Sequence, residues 1–204
     1  MMLIITNQNR MQERVVLRAM FEARKQVFID LLGWDLPALA GRFEVDQFDN
    51  ARATYLILTD ARRRHLASAR LLPTEHPGIL TTLFPQLCDT PPPSGSDVFE
   101  ITRFCLSRDL RAPARRAARD TLVREIARYA LGTGITTYTG VAELPWLRQI
   151  LGFGWRASML GDPKICGRQQ LGALRIDIDA DTLALLARNG IHGDADAALQ
   201  SSAA

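Results

Sequence analysis

The sequence has few cysteines and no long apolar run. Cys88, Cys105 and Cys166 are odd in number, widely spaced and without a CxxC pair. Neither a disulfide framework nor a zinc site is therefore indicated, and the three cysteines are expected to be small core residues. The opening segment MMLIITNQNR holds only a short apolar run before polar residues take over. We accordingly expect no signal peptide, no membrane span or membrane partner, and a cytoplasmic protein.

Glycine and aromatic residues are missing from the most basic stretch of the chain. Eight arginines stand against three acids between Arg103 and Arg128, and there is no glycine from Arg108 to Ala130. No aromatic residue interleaves the arginines before Tyr129. Nucleic acid is therefore a poor candidate partner, because neither aromatic interleaving nor a known binding motif accompanies the charge. An acidic protein or a phosphate-bearing ligand fits better, and a solvated basic helix face is the alternative.

The length and composition predict one compact domain. The 204 residues are 47% hydrophobic, and no internal break is long enough to separate two domains. We expect a domain over 1–190 and a flexible tail over 191–204, where alanine, aspartate and serine dominate.

Hydrophobic periodicity predicts a mixed α/β fold with one strongly bent sheet flanked by helices. Strands are expected over 2–5, 54–59, 65–72, 97–106, 135–141, 155–160 and 171–178. Helices are expected over 10–32, 83–87, 112–131, 144–151 and 181–190, the last with Asp181 as its N-cap. The parallel strands on either side of helix 112–131 predict a β-α-β crossover.

The predicted strand 97–106 carries two opposite charges, Glu100 and Arg103, in an apolar setting. An ionised side chain in a buried strand must be paired or neutralised. Strict alternation would place the two on opposite faces, so a shared site predicts a bulge between them. The alternative is a structural ion pair. Arg70, near the end of a strand of small residues, either emerges at the rim or pairs with a buried acid such as Glu100.

A second group of charged residues lies before that strand. Arg24 and Phe28 are four residues apart in the first predicted helix and share a face. The loop over 34–50 then combines three aromatic residues with a cluster of three acids within six positions, namely Trp34, Phe43, Phe48, Glu44, Asp46 and Asp49. The acids suit turn capping, and beside aromatic residues they also suit a metal or an organic cation. The spacing lacks the glycine and terminal glutamate of a calcium loop, and no metal site is predicted.

Together these positions form a recognisable pattern. It comprises Arg24, Phe28, Trp34, the segment EVDQFD over 44–49, the segment RLLPT over 70–74, and Glu100-x-x-Arg103-Phe104. From the first helix to about Ile178, the chain resembles the acyl-homoserine-lactone synthases of bacterial quorum sensing. The resemblance implies an N-acetyltransferase-like fold and transfer of an acyl chain from acyl carrier protein or acyl-CoA to S-adenosylmethionine. The expected products are an acyl-homoserine lactone and methylthioadenosine, with no metal or bound cofactor.

The resemblance also implies roles for the charged residues. Catalytic roles fall to Glu100, Arg103, Arg70 and Asp46, with Glu100 as the base that deprotonates the substrate amine. The S-adenosylmethionine site is expected to comprise Arg24, Phe28, Trp34, Asp46, Asp49 and Phe104, with Asp46 holding the ammonium. The pocket as a whole has a formal charge of −1, opposite in sign to the ligand's, from three arginines and four acids: Arg24, Arg70, Arg103, Glu44, Asp46, Asp49 and Glu100. Backbone amides near Arg103, or at the end of strand 135–141, are candidates for binding the thioester oxyanion.

Two further surfaces follow from the resemblance. The acyl pocket is expected to be lined by Tyr138, Gly140, Val141, Leu144, Trp146, Leu147 and Ile150. Gly140 lacks a hydroxyl for a 3-oxo group, and Trp146 is bulky, so short or medium chains unsubstituted at carbon 3 are expected. Carrier docking is expected at Arg111, Arg115, Arg116 and Arg119, because no glycine-rich turn is present to cradle a CoA pyrophosphate. The CoA-dependent branch of the family stays open, since arginines bind pyrophosphate too.

Two other functions share parts of this pattern. An N-acyltransferase acting on another amine would have the same fold but would not release methylthioadenosine. A non-catalytic acyl or nucleotide binding module would bind its ligand without turnover.

Overall fold

The computed structural model describes residues 1–192, which form two compact units. The first unit comprises 1–71 and 103–125, and the second comprises 72–102 and 126–192. Most of the predicted tail lies outside the described residues. Ile191, placed in that tail by the sequence, is buried, and its N–H donates to the Leu186 carbonyl. Ile191 therefore packs within the second unit.

The strands are β1 Met2–Ile5, β2 Ala38–Leu39, β3 Phe43–Glu44, β4 Thr54–Thr59, β5 His65–Pro73, β6 Val98–Leu106, β7 Thr137–Glu143, β8 Arg156–Met159, β9 Lys164–Cys166 and β10 Gln169–Asp177. The helices are α1 Arg14–Arg24, α2 Ile79–Leu83, α3 Ala112–Thr133, α4 Leu144–Leu151 and α5 Thr182–Arg188. A π-helical segment, Lys25–Leu31, continues α1, and a 3-10 turn, Pro85–Leu87, follows α2. No described helix is both long and apolar enough to cross a membrane.

In the first unit, β4 pairs antiparallel with both β1 and β5, and the short strands β2 and β3 form a hairpin within the predicted loop. Helix α1 buries Val16, Leu17 and Met20, which recur at helical spacing. The predicted apolar stripe fails at Leu31 and Leu32, which are exposed. The π-helical segment explains the failure, because its wider turns shift the face on which later residues lie.

In the second unit, the first half of β6 pairs parallel with β7, and β7 pairs antiparallel with β10. Strands β8 and β9 both pair with β10. Strand β6 and helix α3 run through both units, and α3 joins the parallel pair as the predicted crossover. The mixed α/β class is thus confirmed.

Three local features differ from what the sequence predicted. Strand β9 was not predicted, because it has only three residues and two of them are exposed. Helix α2 ends where the short helix was expected to begin, and the 3-10 turn takes the predicted place. Asp181 is the N-cap residue of α5, as predicted, but it makes no side-chain cap bond; instead, the Thr182 hydroxyl accepts from the Asp179 N–H at 2.9 Å.

Candidate functional site

A closed ring of six charged side chains lies in the first unit. Arg24 is fully buried and donates through Nε to Glu44 at 2.5 Å and through its two terminal nitrogens to Asp49 at 2.8 and 3.0 Å. The Arg24–Asp49 pair is bidentate, which fixes the plane of the Arg24 guanidinium as well as its position.

Arg70 and Arg103 close the ring. Arg70 donates to both oxygens of Asp46 at 2.6 and 3.0 Å and lies 2.8 Å from Asp49. Arg103 bonds Glu44 at 3.1 Å and Asp46 at 2.8 Å. Each arginine therefore bridges two acids, each acid bridges two arginines, and the six formal charges cancel.

The ring decides between alternatives that the sequence left open. Arg70 pairs with buried acids rather than emerging at the rim, and these acids include Asp46 and Asp49. The acids Glu44, Asp46 and Asp49 hold arginines rather than a metal, and residues 1–192 contain no group of three or more His, Cys, Asp or Glu side chains arranged to hold one. Asp46 and Asp49 also accept backbone N–H bonds, which retains part of the predicted turn role.

The electrostatics of the ring keep Arg24 and Asp49 ionised. Burial alone would lower the pKa of Arg24, but the Asp49 and Glu44 carboxylates outweigh burial and raise it. Burial likewise opposes ionisation of Asp49, but Arg24 and Arg70 hold the pKa of that carboxyl well below its usual range. Tyr55, which the sequence did not single out, donates its hydroxyl to Asp49 at 2.9 Å. Burial and the Asp49 charge raise the pKa of Tyr55, so it stays protonated.

Aromatic side chains border the ring. Phe28 stacks on Trp34 with ring centroids 4.8 Å apart and an interplanar angle of 17°, and the Arg103 guanidinium lies 5.7 Å from the Phe28 centroid. The same core includes Cys105, and its burial raises the pKa of that thiol to about 12. Cys105 is thus the core residue that was predicted, whereas Cys88 and Cys166 are half-buried.

Strand β6 departs from regular geometry at Arg103. Its φ is +51°, in the left-handed region that non-glycine residues seldom adopt. The alternation of buried and half-buried side chains also breaks there, since Arg103 and Phe104 are both half-buried. This agrees with the predicted irregularity between Glu100 and Arg103. In this way Arg103 joins Glu44 and Asp46, with Phe104 next along the strand.

Glu100 lies in the second unit and is almost fully buried. Its two carboxylate oxygens accept one backbone N–H each, from Ile79 and Leu80, at 2.9 Å. These donors are the first two residues of α2. The sequence could not signal this contact, because Gly78–Leu80 is an unremarkable segment in a loop rich in proline.

The predicted acyl-pocket residues lie on two faces of β7. Tyr138 is fully buried, with its hydroxyl donating to the Ile126 carbonyl in α3, and Gly140 shares its face by alternation. Val141 lies on the opposite face and packs against the cluster of Leu80, Leu87, Leu171 and Ala173. The predicted set cannot, as a whole, line one pocket. In the α4 region, Leu147 and Ile150 are buried, Leu144 is half-buried, and Trp146 meets Phe153 edge to face at 5.7 Å.

The predicted carrier-docking arginines divide into two pairs. Arg111 and Arg116 are exposed. Arg115 donates to the carbonyls of Leu106 and Ser107 at 3.3 and 3.0 Å, and Arg119 pairs with Asp120 at 2.6 Å. Arg115 and Arg119 therefore hold the protein's own structure, which leaves Arg111 and Arg116 as the better candidates for a partner.

A cavity of about 370 Å³ also lies in the first unit, next to Asp49 and Tyr55. The sequence analysis did not predict it. Its lining comprises Arg10, Leu17, Arg18, Phe21, Leu39, Phe43, Val45, Asp49 and Tyr55.

Comparison with known proteins identifies relatives of this chain. The family model described as "Autoinducer synthase" matches residues 7–186. An acyl-homoserine-lactone synthase of Ralstonia nicotianae is 35% identical over 181 residues, which cover 86% of this chain and 87% of that protein.

Solved structures agree with these sequence relatives. BjaI, a CoA-dependent acyl-homoserine lactone synthase solved with SAM and isopentyl-CoA, is 29% identical with a TM-score of 0.85, covering 93% of this chain and 89% of its own. An N-acetyltransferase from Lactobacillus plantarum is 16% identical with a TM-score of 0.57, covering 87% of this chain and 99% of its own, and shares the fold alone. The predicted N-acetyltransferase-like fold is confirmed, and the chain belongs to the autoinducer synthase family.

Proposed function

We propose that this chain makes an acyl-homoserine lactone from S-adenosylmethionine and an acyl thioester, in the cytoplasm and without a metal or bound cofactor. The observation that carries the proposal is the closed ring of three arginines and three acids beside the Phe28–Trp34 stack. A ligand that combines a sulfonium, an ammonium and a carboxylate needs both signs of fixed charge and an aromatic surface. Membership of the autoinducer synthase family and the SAM bound to the similar enzyme BjaI support the same reading.

The exposure of the ring suggests where the substrate binds. The side chains of Asp46 and Arg103 are 7% and 10% exposed, whereas Arg24, Glu44, Asp49 and Arg70 are 2% exposed or less. A ligand therefore reaches the ring at Asp46 and Arg103. Asp46 then holds the substrate ammonium, Arg103 its carboxylate, and the Phe28–Trp34 stack provides an apolar surface for the adenosine and sulfonium portion.

The reaction has two bond-forming steps. In the first, the substrate ammonium gives a proton to Glu100, and the neutral amine attacks the thioester carbonyl. A C–N bond forms, the C–S bond of the thioester breaks, and the thiol leaves with a proton. In the second, the substrate carboxylate attacks the carbon next to the sulfonium, so that a C–O bond forms and methylthioadenosine leaves as a neutral thioether. This step depends on positioning rather than on acid or base strength.

The exposed arginines of α3 bear on the acyl donor, and Gly140 bears on the acyl chain. We propose an acyl carrier protein that docks on Arg111 and Arg116, because an acidic partner is attracted to exposed positive charge. BjaI is CoA-dependent, so acyl-CoA is the competing donor. Gly140 offers no hydroxyl to a 3-oxo group, which favours chains unsubstituted at carbon 3.

The test is to incubate the purified protein with S-adenosylmethionine and matched panels of acyl carrier protein and acyl-CoA donors. Mass spectrometry should detect a lactone and methylthioadenosine in equal amounts. Acyl transfer to another amine without methylthioadenosine would identify a different N-acyltransferase, and ligand binding without turnover would identify a binding module. Either result would contradict the proposal.

A further inference from the structure

Gly78 is a glycine for reasons of space rather than backbone conformation. Its φ and ψ are −117° and −173°, an extended conformation that any residue adopts. A Cβ at this position would lie 2.2 Å from Oε2 of Glu100 and 3.4 Å from Cδ of the same side chain. The first distance is far below van der Waals contact. A side chain at residue 78 and the observed position of the Glu100 carboxylate therefore exclude each other.

The Glu100 carboxylate is held on both oxygens. Ile79 donates to Oε2 and Leu80 donates to Oε1, each at 2.9 Å. One donor on each oxygen fixes the rotation of the carboxylate about its terminal bond. The two N–H groups also stabilise the ionised form, which burial alone would disfavour.

The two donating amides are themselves held in place. Gly78 donates its N–H to the Thr81 hydroxyl at 3.1 Å, and its carbonyl accepts from Thr82 at 3.1 Å. Leu80 is buried against Leu87, Leu171 and Ala173. The start of α2 is thus anchored by its own hydrogen bonds and by the core, so the carboxylate is bound by donors that are already in position.

We infer that Gly78 is a positioning residue for the reaction: it lets the start of α2 approach Glu100 closely enough for the Ile79 and Leu80 amides to hold the carboxylate ionised and oriented. Gly78 does not touch the reacting atoms and acts through Glu100. The inference rests on the proposed function, in which Glu100 is the base.

The test is a double-mutant cycle of Gly78→Ala and Glu100→Asp, measured as kcat and KM for lactone synthesis. Gly78→Ala should lower kcat roughly tenfold or more, with a much smaller change in either KM, because it displaces a base rather than a binding group. In the Glu100→Asp background it should cause no further loss, since the shorter side chain withdraws the oxygens from residue 78. Gly132→Ala, the same substitution at a position with open space around the added carbon, is the matched control and should leave kcat within about twofold.

Two kinetic outcomes would overturn the inference: an unchanged kcat in Gly78→Ala, or the same loss in both backgrounds, which would mean that the effect does not pass through Glu100. If Gly78→Ala fails to fold, amide hydrogen exchange at Ile79 and Leu80 decides, because Glu100→Gln should accelerate it and unchanged exchange would contradict the inference. A wild-type protein that makes no lactone with any donor would defeat the proposed function instead. An active wild type with a silent Gly78→Ala would defeat only the inference.

Discussion

At the scale of single residues, Asp49 links the charged ring to the core around it. It bonds Arg24 and Arg70, accepts the Tyr55 hydroxyl, and accepts the backbone N–H of Asp46. Burying a charge is unfavourable unless each of its partners is in place. Loss of this carboxylate would take one acid of the ring from each of two buried guanidinium groups, while loss of the Tyr55 hydroxyl would leave the ion pairs of the ring in place.

The first prediction compares these two changes. Asp49→Asn should lower the free energy of unfolding by about 3 to 5 kcal/mol, the usual effect of removing one partner from a buried ion pair. Tyr55→Phe should lower it by about 0.5 to 1.5 kcal/mol, the effect of one hydrogen bond. Urea denaturation of both variants measures the difference. Similar values for the two would show that the ring contributes little through its charges.

The second prediction concerns His65, whose Nε2 lies 2.9 Å from the Ser68 hydroxyl, while Nδ1 has no hydrogen-bond partner within residues 1–192. Burial lowers the pKa of His65 from 6.5 to about 4. The pKa of His65 is lower in the folded protein than in the unfolded chain. The contribution of neutral His65 to stability is therefore complete above pH 6.5 and is lost as the pH falls through about 4. That loss is on the order of 3 kcal/mol.

Unfolding measured from pH 7 to pH 4 tests this. His65→Gln should remove most of the slope in this range, whereas the control His76→Gln, at an exposed position, should keep it. If His65→Gln retains the wild-type slope, other groups cause the loss.

At the scale of elements, the predictions succeeded where a regular period met a clear boundary. Helix α4 was predicted with its observed bounds, because Pro145 marks its first turn and Gly152 follows its last residue. The π-helical turn over 25–31 had no comparable signal, since the local sequence continues to look α-helical. Helix α2 was misplaced because its start depends on Glu100, some twenty residues later in the chain.

The third prediction tests how α4 packs on β10. A Cβ added at Gly172 would lie 2.5 Å from Cδ2 of Leu147, a fully buried residue of α4. Gly172→Ala should therefore destabilise the protein by about 1 to 3 kcal/mol through overpacking. Gly132→Ala, in α3 with open space around the added carbon, should stabilise it by up to about 1 kcal/mol. Melting temperatures that move in the same direction for both variants would contradict this account of Gly172.

At the scale of the whole molecule, the sequence pattern named every member of the charged ring but not how the members pair. Arg70 lies in β5 and its partners lie in the loop before β4, and only the folded loop decides which acid meets which arginine. The same limit applies to the basic helix. Counting arginines indicated an anionic partner, but it could not show that Arg115 binds the carbonyls at the end of β6 or that Arg119 pairs with its neighbour. Burial and pairing, rather than residue type, separate structural charges from those available to a partner.

The last prediction separates local charge from total charge in carrier binding. Arg116→Glu and the control Arg62→Glu each replace an exposed arginine, and each lowers the formal net charge from +3 to +1. If the carrier protein docks on Arg116, that variant should raise the KM for acyl carrier protein roughly three- to tenfold, with the KM for S-adenosylmethionine unchanged and Arg62→Glu close to wild type. The effect should shrink as salt is raised, because exposed charges are screened beyond about 10 Å at 0.1 M. An equal rise in both variants would assign the effect to net charge, and an equal rise with acyl-CoA donors would show that Arg116 does not distinguish the carrier.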